Sequence, residues 1–482
     1  MPYSQIIALM VALLLITGVN GDIEPLMSLG IAGFFWTLKV IVWALFVFWI
    51  TKKKAARPTP FLLERLQWVS LILLATDIYV LDLKTYLTQF ITLPLPGLIE
   101  ISTLSIYILY LIITWTAYWS GLKKAGGMGT ELPLSDEIGM RLRLILPAII
   151  PYLIITLASD FLHLVKWPWL NNFMESGTGE ALSLAFILIT VVILIPPMIR
   201  VIWRCKPLSN GHVRDLIEEF LRRYGVKYKE ILLWPLGGPR FCTAAVLGVI
   251  PRFRYILLTP CLMQYLIPEE IDAVLAHEAA HIRKKHMLWY IIFIGVFSLT
   301  IYRLSDPFWV WILSHGSFIK ALLSLGDISK TFVSLAISLP IGLLLILYFR
   351  FLMGYFMRNF EREADLSIFD AHGHPWHLIN TLEKVALLAG NIRTQPSWHH
   401  FSIAERVNFL RQIAQNPHLR SIFSKKLNQK KTAFLLTAAF LSLLPSLLPI
   451  NSWKAVAKQN MVQIYLERGL KYKGHTGPHL EQ

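Results

Sequence analysis

The stretch Pro268-Glu-Glu-Ile-Asp-Ala-Val-Leu-Ala-His277-Glu278-Ala-Ala-His281 decides how the rest of the chain is read. Proline suits a first helical turn, Glu269, Glu270 and Asp272 favour the positive helix end, and Ile271, Val274 and Leu275 recur at helical spacing. The pattern H-E-x-x-H therefore falls on a helix. Two histidines four residues apart lie one above the other on one face, within reach of a single zinc ion, while Glu278 stands beside them as a base for a water that the ion activates. These residues outline a hydrolytic zinc site.

Five-letter patterns also arise by chance, and two such histidines could simply line a polar face. A zinc enzyme needs a third protein ligand, with the fourth position left to water, so a carboxylate or histidine is expected on a second helix. The run Arg358-Asn-Phe-Glu361-Arg-Glu-Ala-Asp365 supplies it. Glu361 can complete a His2Glu set, and Asp365, one turn on, can orient a ligand imidazole by accepting its other N–H. His286 follows His281 by five residues, so on a continuing helix it projects away from the metal face and reads as interfacial rather than as a ligand.

The pair H-E-x-x-H and R-x-x-E-x-x-A-D, separated by membrane spans, resembles the integral-membrane metallopeptidases that include the type-1 CAAX prenyl protease and the heat-shock protease HtpX. The resemblance runs from about Leu208 to Phe409. It implies a mainly α, polytopic helical membrane protein with a small α+β, gluzincin-like domain, in which His277, His281 and Glu361 hold one Zn2+ per chain, Glu278 is the general base and Asp365 supports the ligands from behind. Thr243-Ala-Ala-Val-Leu-Gly248 is similar to the family's N-A-x-A-x-G, an edge strand that pairs with substrate backbone, which would make Thr243, Ala244 and Ala245 substrate contacts. Thr243 replaces the usual Asn and Val246 the second Ala. His399-His400-Phe-Ser-Ile-Ala-Glu-Arg406 is similar to H-P-S-x-x-x-R with Phe401 in place of Pro, and implies that His400 helps stabilise the oxyanion with Arg406 supporting it.

Composition sets the outer limits. A chain of 482 residues with 55% hydrophobic content is too apolar for an ordinary soluble protein, where about half apolar, counting glycine, is typical. The net charge of +16 could suggest nucleic acid, but Lys and Arg gather at the ends of apolar runs, as membrane topology requires. Cys205, Cys242 and Cys261 are odd in number and irregularly spaced, so they are expected to be reduced and to act as small apolar residues. There is no repeat, no heptad and no phosphate-binding glycine loop, so nucleotide is not an expected partner, and the placement of the basic residues speaks against nucleic acid.

Six spans are expected within 1–205: Ile6–Ile16, read as a retained span rather than a signal peptide, Leu26–Ile50, Leu66–Leu81, Leu98–Ser120, Arg141–Leu157 and Ala181–Ile202. Asp77 lies inside the third and could mark a transport path, face a wet bundle interior, or end a tilted span early. Lys52 to Lys54, Arg57, Lys123, Lys124, Arg141, Arg143, Arg200, Arg204 and Lys206 place one face in the cytoplasm by the positive-inside rule.

A first catalytic part is expected over 206–287, with a helix along Val213–Leu221, a stop at Gly225, and β-type runs at Ile231–Trp234, Thr243–Val249 and Tyr255–Thr259. The zinc helix is expected to continue past His281 into a span over Met287–Ile301. This opens a membrane hairpin over 288–353, with an outer connection from Asp306 to Lys330 and a return along Phe332–Leu352. The return brings Glu361 to the face that holds His277, so the charge rule and the motifs agree. A second catalytic part follows over 354–431, with helices at Trp376–Leu388 and Ala404–Ile413. The run Asp370-Ala-His372-Gly-His374 reads as a water-facing turn rather than a second metal site. A last apolar segment at 432–450 and a basic tail at 451–482, containing Lys454, Lys458, Arg468, Lys471 and Lys473, close the chain.

The expected activity is a zinc endopeptidase on the cytoplasmic side, in a bacterial inner membrane, acting on membrane-associated, prenylated or misfolded polypeptides. A protease-domain membrane receptor and a transporter with structural zinc are the alternatives. The receptor reading leaves R-x-x-E-x-x-A-D, an arrangement such receptors lack, unexplained, and the transporter leaves Glu278 without a task.

Overall fold

A computed structural model describes residues 2–18, 25, 27–53, 59–91, 95–126, 133–165, 167–174, 176–235, 242–317, 339–389, 392–395 and 400–467. The beginning of the expected return span (332–338), the later part of the expected outer connection (318–330), Lys54, Arg57, His399 and the tail residues Arg468, Lys471 and Lys473 lie outside the described residues. The chain divides into two units: Met1–Leu288 with Ser338–Pro417, and Trp289–Ile337 with His418–Gln482.

Among the described residues, six helices are long and apolar enough to cross a membrane: Leu29–Lys53, Pro96–Lys124, Leu134–Ala158, Ala185–Ile202, His286–Ser314 and Leu339–His372. Two bent pairs, Phe61–Tyr79 with Leu83–Phe90 and His418–Leu447 with Ile450–Asn460, pass the same test. This is a polytopic membrane protein, mainly helical, with one small mixed α+β domain.

In the first unit α1 (Pro2–Thr17), α2 (Leu29–Lys53), α3 (Pro60–Tyr79), α4 (Leu83–Phe90), α5 (Pro96–Lys124), α6 (Leu134–Val165), α7 (Pro168–Met174) and α8 (Gly177–Ile202) precede the mixed domain. Helix α2 buries Trp43 and Val47 against Leu62 and Leu66 of α3 and Tyr110 and Ala117 of α5, while Phe34, Leu45 and Trp49 stay exposed. Such exposure is stable only where the surroundings are as apolar as the side chains, as lipid tails are. Asp77 lies on the last turn of α3, which stops at Tyr79 and bends by 61° into α4, as an early-ending span would. It is fully buried, paired with Lys39 Nζ of α2 and accepting from Tyr110 Oη of α5 at 2.7 Å.

The mixed domain holds a four-stranded sheet: β1 (Lys206–Pro207), β2 (Glu230–Leu233), β3 (Ala244–Leu247) and β4 (Tyr255–Leu258), in the order β1-β2-β4-β3. Strand β4 runs parallel to β2 and antiparallel to β3, with Ala244 opposite Leu258 and Leu247 opposite Tyr255. Strand β3 is thus an outer strand. One sheet face packs Leu232, Trp234, Tyr255 and Leu257 on Met140 and Leu144 at the start of α6 and on Trp203 after α8. The other faces a core built from α9 (His212–Arg223), α10 (Pro260–Tyr265) and α11 (Pro268–Arg283). Ile217, Ile231, Ile256, Leu275 and Leu410 are completely buried there. Each such side chain contributes roughly 1.5–3 kcal/mol of transfer free energy.

Helix α11 starts where the sequence requires. Ile267 is extended, Pro268 fills the first turn, and Glu270 accepts the N–H of Ile267 at 3.2 Å while it pairs with Lys384 Nζ at 2.7 Å. The expected continuation past His281 does not occur. Lys284 closes α11 and Lys285 adopts φ +58°, after which α12 (His286–Ser314) starts as a separate helix. A left-handed residue cannot carry a right-handed helix forward, so the axis breaks there. Asp306 and Pro307, expected in a connection, lie within α12.

The helix beginning at 339 passes through a π-helical stretch, Tyr348–Met353, into α13 (Gly354–Asp365). It is followed by α14 (Ile368–His372), α15 (Trp376–Leu388) and α16 (Ile403–Gln415). Gly373 at φ +73° turns the chain after α14. His372 does not face water as expected: only 11% of its side chain is exposed, and Nε2 lies 3.2 Å from Asp272. The second unit contains most of α12 with α17 (His418–Leu447) and α18 (Ile450–Glu467), which meet at a 55° bend just past Pro449.

The expectation of reduced cysteines also fails for two of the three. Cys242 and Cys261 are bridged, with Cα atoms 4.9 Å apart, and Cys205 is free and buried. The antiparallel register carries the cause. Extending the β3–β4 pairing past Ala244–Leu258 brings Cys242 opposite Pro260, beside Cys261, a proximity that spacing along the chain conceals.

Candidate metal centre

Helix α11 supplies His277 and His281 and α13 supplies Glu361, and the three form a cluster able to hold a metal ion. The Nε2 atoms of the two histidines are 3.2 Å apart. Glu361 places Oε2 3.6 Å from His277 Nε2 and Oε1 3.5 Å from His281 Nε2. Ligand atoms bound to one tetrahedral zinc at its usual bond lengths are separated by about 3.4 Å. The donor set therefore fits the ion in both chemistry and spacing, with one position left for water.

Asp365 is wholly buried with Oδ1 3.0 Å from Nδ1 of His277, and Arg406 grips it with two hydrogen bonds of 2.9 and 2.6 Å. Arg406 was expected to support His400, but its guanidinium instead clamps Asp365 and approaches Glu361 Oε2 at 3.8 Å. His400 lies with Nδ1 3.2 Å from Glu361 Oε2 and 41% of its side chain exposed. Phe401, in place of proline, lies under the guanidinium of Arg362, 3.6 Å from ring centroid to Cζ, a cation–π contact that holds this segment to α13.

Electrostatics separate the histidines. Burial holds His281 neutral, taking its pKa down to about 3 against the pull of Glu361. Burial also opposes charge on His277, but Asp365 and Glu361 outweigh it and lift the pKa to about 10, so metal uptake at this imidazole expels a proton. Glu278 is pushed up to about 7, by desolvation first and by the charge of Glu361, with His277, the N–H of Val246 and Arg406 pulling the other way.

The Val246 contact joins the sheet edge to the cluster. Thr259 N donates to Thr243 O at 3.1 Å, and Thr243 N donates to Thr259 Oγ1 at 3.0 Å, so the peptide groups of Thr243 are turned to β4. By the alternation of an antiparallel ladder, Ala244 and Val246 turn theirs to the open side. Ala245 points its peptide groups inward.

The sequence reading missed two residues. His286 is fully buried, with Nδ1 3.0 Å from Nδ1 of His281 and Nε2 3.0 Å from Glu363 Oε2. Only the left-handed Lys285 brings it back, and no motif signals that conformation at a lysine.

Fold and cluster together define a zinc-metallopeptidase-type catalytic domain carried by a polytopic membrane protein. Residues 207–414 match the model of peptidase family M48, so the chain carries an M48, CAAX-protease and HtpX-like peptidase domain. The crystal structure of S. mikatae Ste24p is similar at 18% identity, over 79% of this chain and 98% of that one, with a TM-score of 0.47. No curated protein matches the chain.

Proposed function

We propose that the protein is a zinc-dependent membrane endopeptidase whose one Zn2+ is held by His277, His281 and Glu361 and whose substrates are membrane-associated polypeptides. The observation that carries this reading is the triangle of ligand atoms at 3.2–3.6 Å with Glu278 beside it. When bound, zinc supplies Lewis acidity to a substrate carbonyl and to the attacking water.

The chain's own residues supply the rest. Glu278 accepts a proton from water and returns it to the leaving amine, and a carboxyl with pKa near neutrality suits both transfers. Asp365 holds the imidazole of His277, and Arg406 keeps that carboxylate charged and aimed. His400, at the exposed side of the cluster, offers a hydrogen bond to the oxygen that gains charge. The open edge of β3 pairs with an extended substrate through Ala244 and Val246. Thr243 and Ala245, turned inward, hold the strand in place.

The proposed side is the cytoplasm, in a bacterial inner membrane. Lys52, Lys53, Lys123, Lys124 and Arg200 fall in the last turns of α2, α5 and α8, and Trp203 beyond α8 packs with the catalytic sheet. Glu278→Gln keeps the ligand set and removes the base. We expect zinc to be retained and cleavage of a membrane substrate to fall by about 10²–10⁴-fold. Full activity in that variant removes the enzymatic assignment.

A further inference from the structure

The two zinc-site histidines are held from behind by different means, and the second device has no counterpart among the motifs. His277 leans on the Asp365–Arg406 ion pair. His281 leans on another imidazole, that of His286. The bonding around His286 admits one arrangement of protons. If Nε2 of His281 faces the metal with its lone pair, Nδ1 carries the hydrogen and must donate. The Nδ1 of His286 then accepts, so its Nε2 bears the hydrogen and donates to Glu363 Oε2 at 3.0 Å. The ring of His286 is also stacked on Phe360, with centroids 4.4 Å apart and planes 3° from parallel, which removes its freedom to rotate.

We infer that His286 and Glu363 are positioning residues for the metal centre: a hydrogen-bonded chain from Glu363 through His286 to His281 fixes the tautomer and ring plane of the second histidine ligand. Two features beyond the chain itself point the same way. Lys285 adopts φ +58°, a conformation unfavourable for a lysine, and it is this residue that swings His286 back toward His281. Glu363 lies two residues past Glu361 on α13, so its contact with His286 ties α13 to the start of α12 and, through the His286–His281 bond, to α11 behind the metal.

This inference rests on the metal reading above, so its test reads metal rather than peptide cleavage. Zn2+ affinity is measured by chelator competition on the full-length protein, and the visible spectrum of the Co2+-loaded protein reports the ligand field. His286→Phe can keep the stack on Phe360 while losing both hydrogen bonds. We expect its Zn2+ affinity to drop about 10–100-fold and the cobalt bands to shift. Glu363→Leu should behave alike and add little in combination with His286→Phe, whereas Glu363→Gln, which keeps an oxygen to accept the Nε2 hydrogen, should retain most of the affinity. His286→Phe with wild-type affinity and spectrum overturns the inference. If that variant does not fold, the Glu363→Leu and Glu363→Gln pair decides, and equal affinity in the two overturns it. A wild-type protein that takes up neither ion overturns the metal reading and this inference with it.

Discussion

Arg406 and Asp365 face each other almost without water, and their energetics differ from those of surface pairs. Removing one buried partner leaves the other charged and unsatisfied, at a cost of about 3–5 kcal/mol. Arg406→Ala should therefore lower the melting temperature of the metal-free protein, and Arg406→Lys should only partly restore it, because an ammonium cannot reproduce the two-pronged grip. A melting temperature unchanged in Arg406→Ala would show that the clamp carries no stability. The same logic applies to Lys39 and Asp77 beside Tyr110, where the carboxylate is fully buried and the ammonium largely so. Asp77→Leu alone strands an ammonium and should destabilise the protein, while Lys39→Met with Asp77→Leu should recover most of the loss. Recovery, measured as resistance to denaturant in detergent, marks the pair as structural; a double variant as damaged as the single one contradicts this.

At this scale the sequence was uneven. The histidine pair was legible because its spacing, four residues on a helix, survives folding unchanged, and Glu361 because a zinc site calls for a further carboxylate on a second helix. Asp365 was legible by its spacing, one turn beyond Glu361. The side chain that Arg406 would grip was not, since 41 residues separate it from Asp365. His286 was misplaced because extrapolating a helix through Lys285 assumes the one backbone conformation that this residue does not adopt.

Among the elements, β3 links fold to chemistry. Its inner edge is consumed by β4, its outer edge ends at Glu278, and its start is pinned by the Cys242–Cys261 bridge. Proline is tolerated on an outer strand where the N–H points away from the ladder. Val246→Pro should thus leave the sheet and zinc binding intact and delete the N–H that faces the cleft. We expect peptide cleavage to fall at least about tenfold, the loss of one charge-assisted hydrogen bond at about 1.5–3 kcal/mol being large enough for that. Wild-type cleavage by a folded, zinc-loaded Val246→Pro protein would show that the N–H donated to Glu278 contributes nothing to the reaction. The three longer strands and helices α9, α15 and α16 were visible as alternation, amphipathic stripes and stop signals. Strand β1 and helix α10 were not, because two and six residues leave no period to detect.

For the whole molecule, charge and sulfur make opposite statements about the side on which the catalytic domain lies. The basic ends of α2, α5 and α8 favour the cytoplasmic side proposed above. A bridge between Cys242 and Cys261 is ordinary in an oxidising compartment and rare where thiol pools keep cysteines reduced. The charge argument draws on several helix ends, whereas the bridge requires only that two thiols held by the β3–β4 register meet an oxidant. A cytoplasmic domain accordingly predicts that in intact cells, quenched with acid to trap thiols and then denatured, Cys242 and Cys261 react with an alkylating reagent, and that the bridge closes when the protein is exposed to air during purification. Both cysteines remaining blocked in freshly quenched cells, and reacting only after reductant, would move the catalytic face to the other side of the membrane. The metal centre would stay as described, but the substrates would then have to be sought among exported chains.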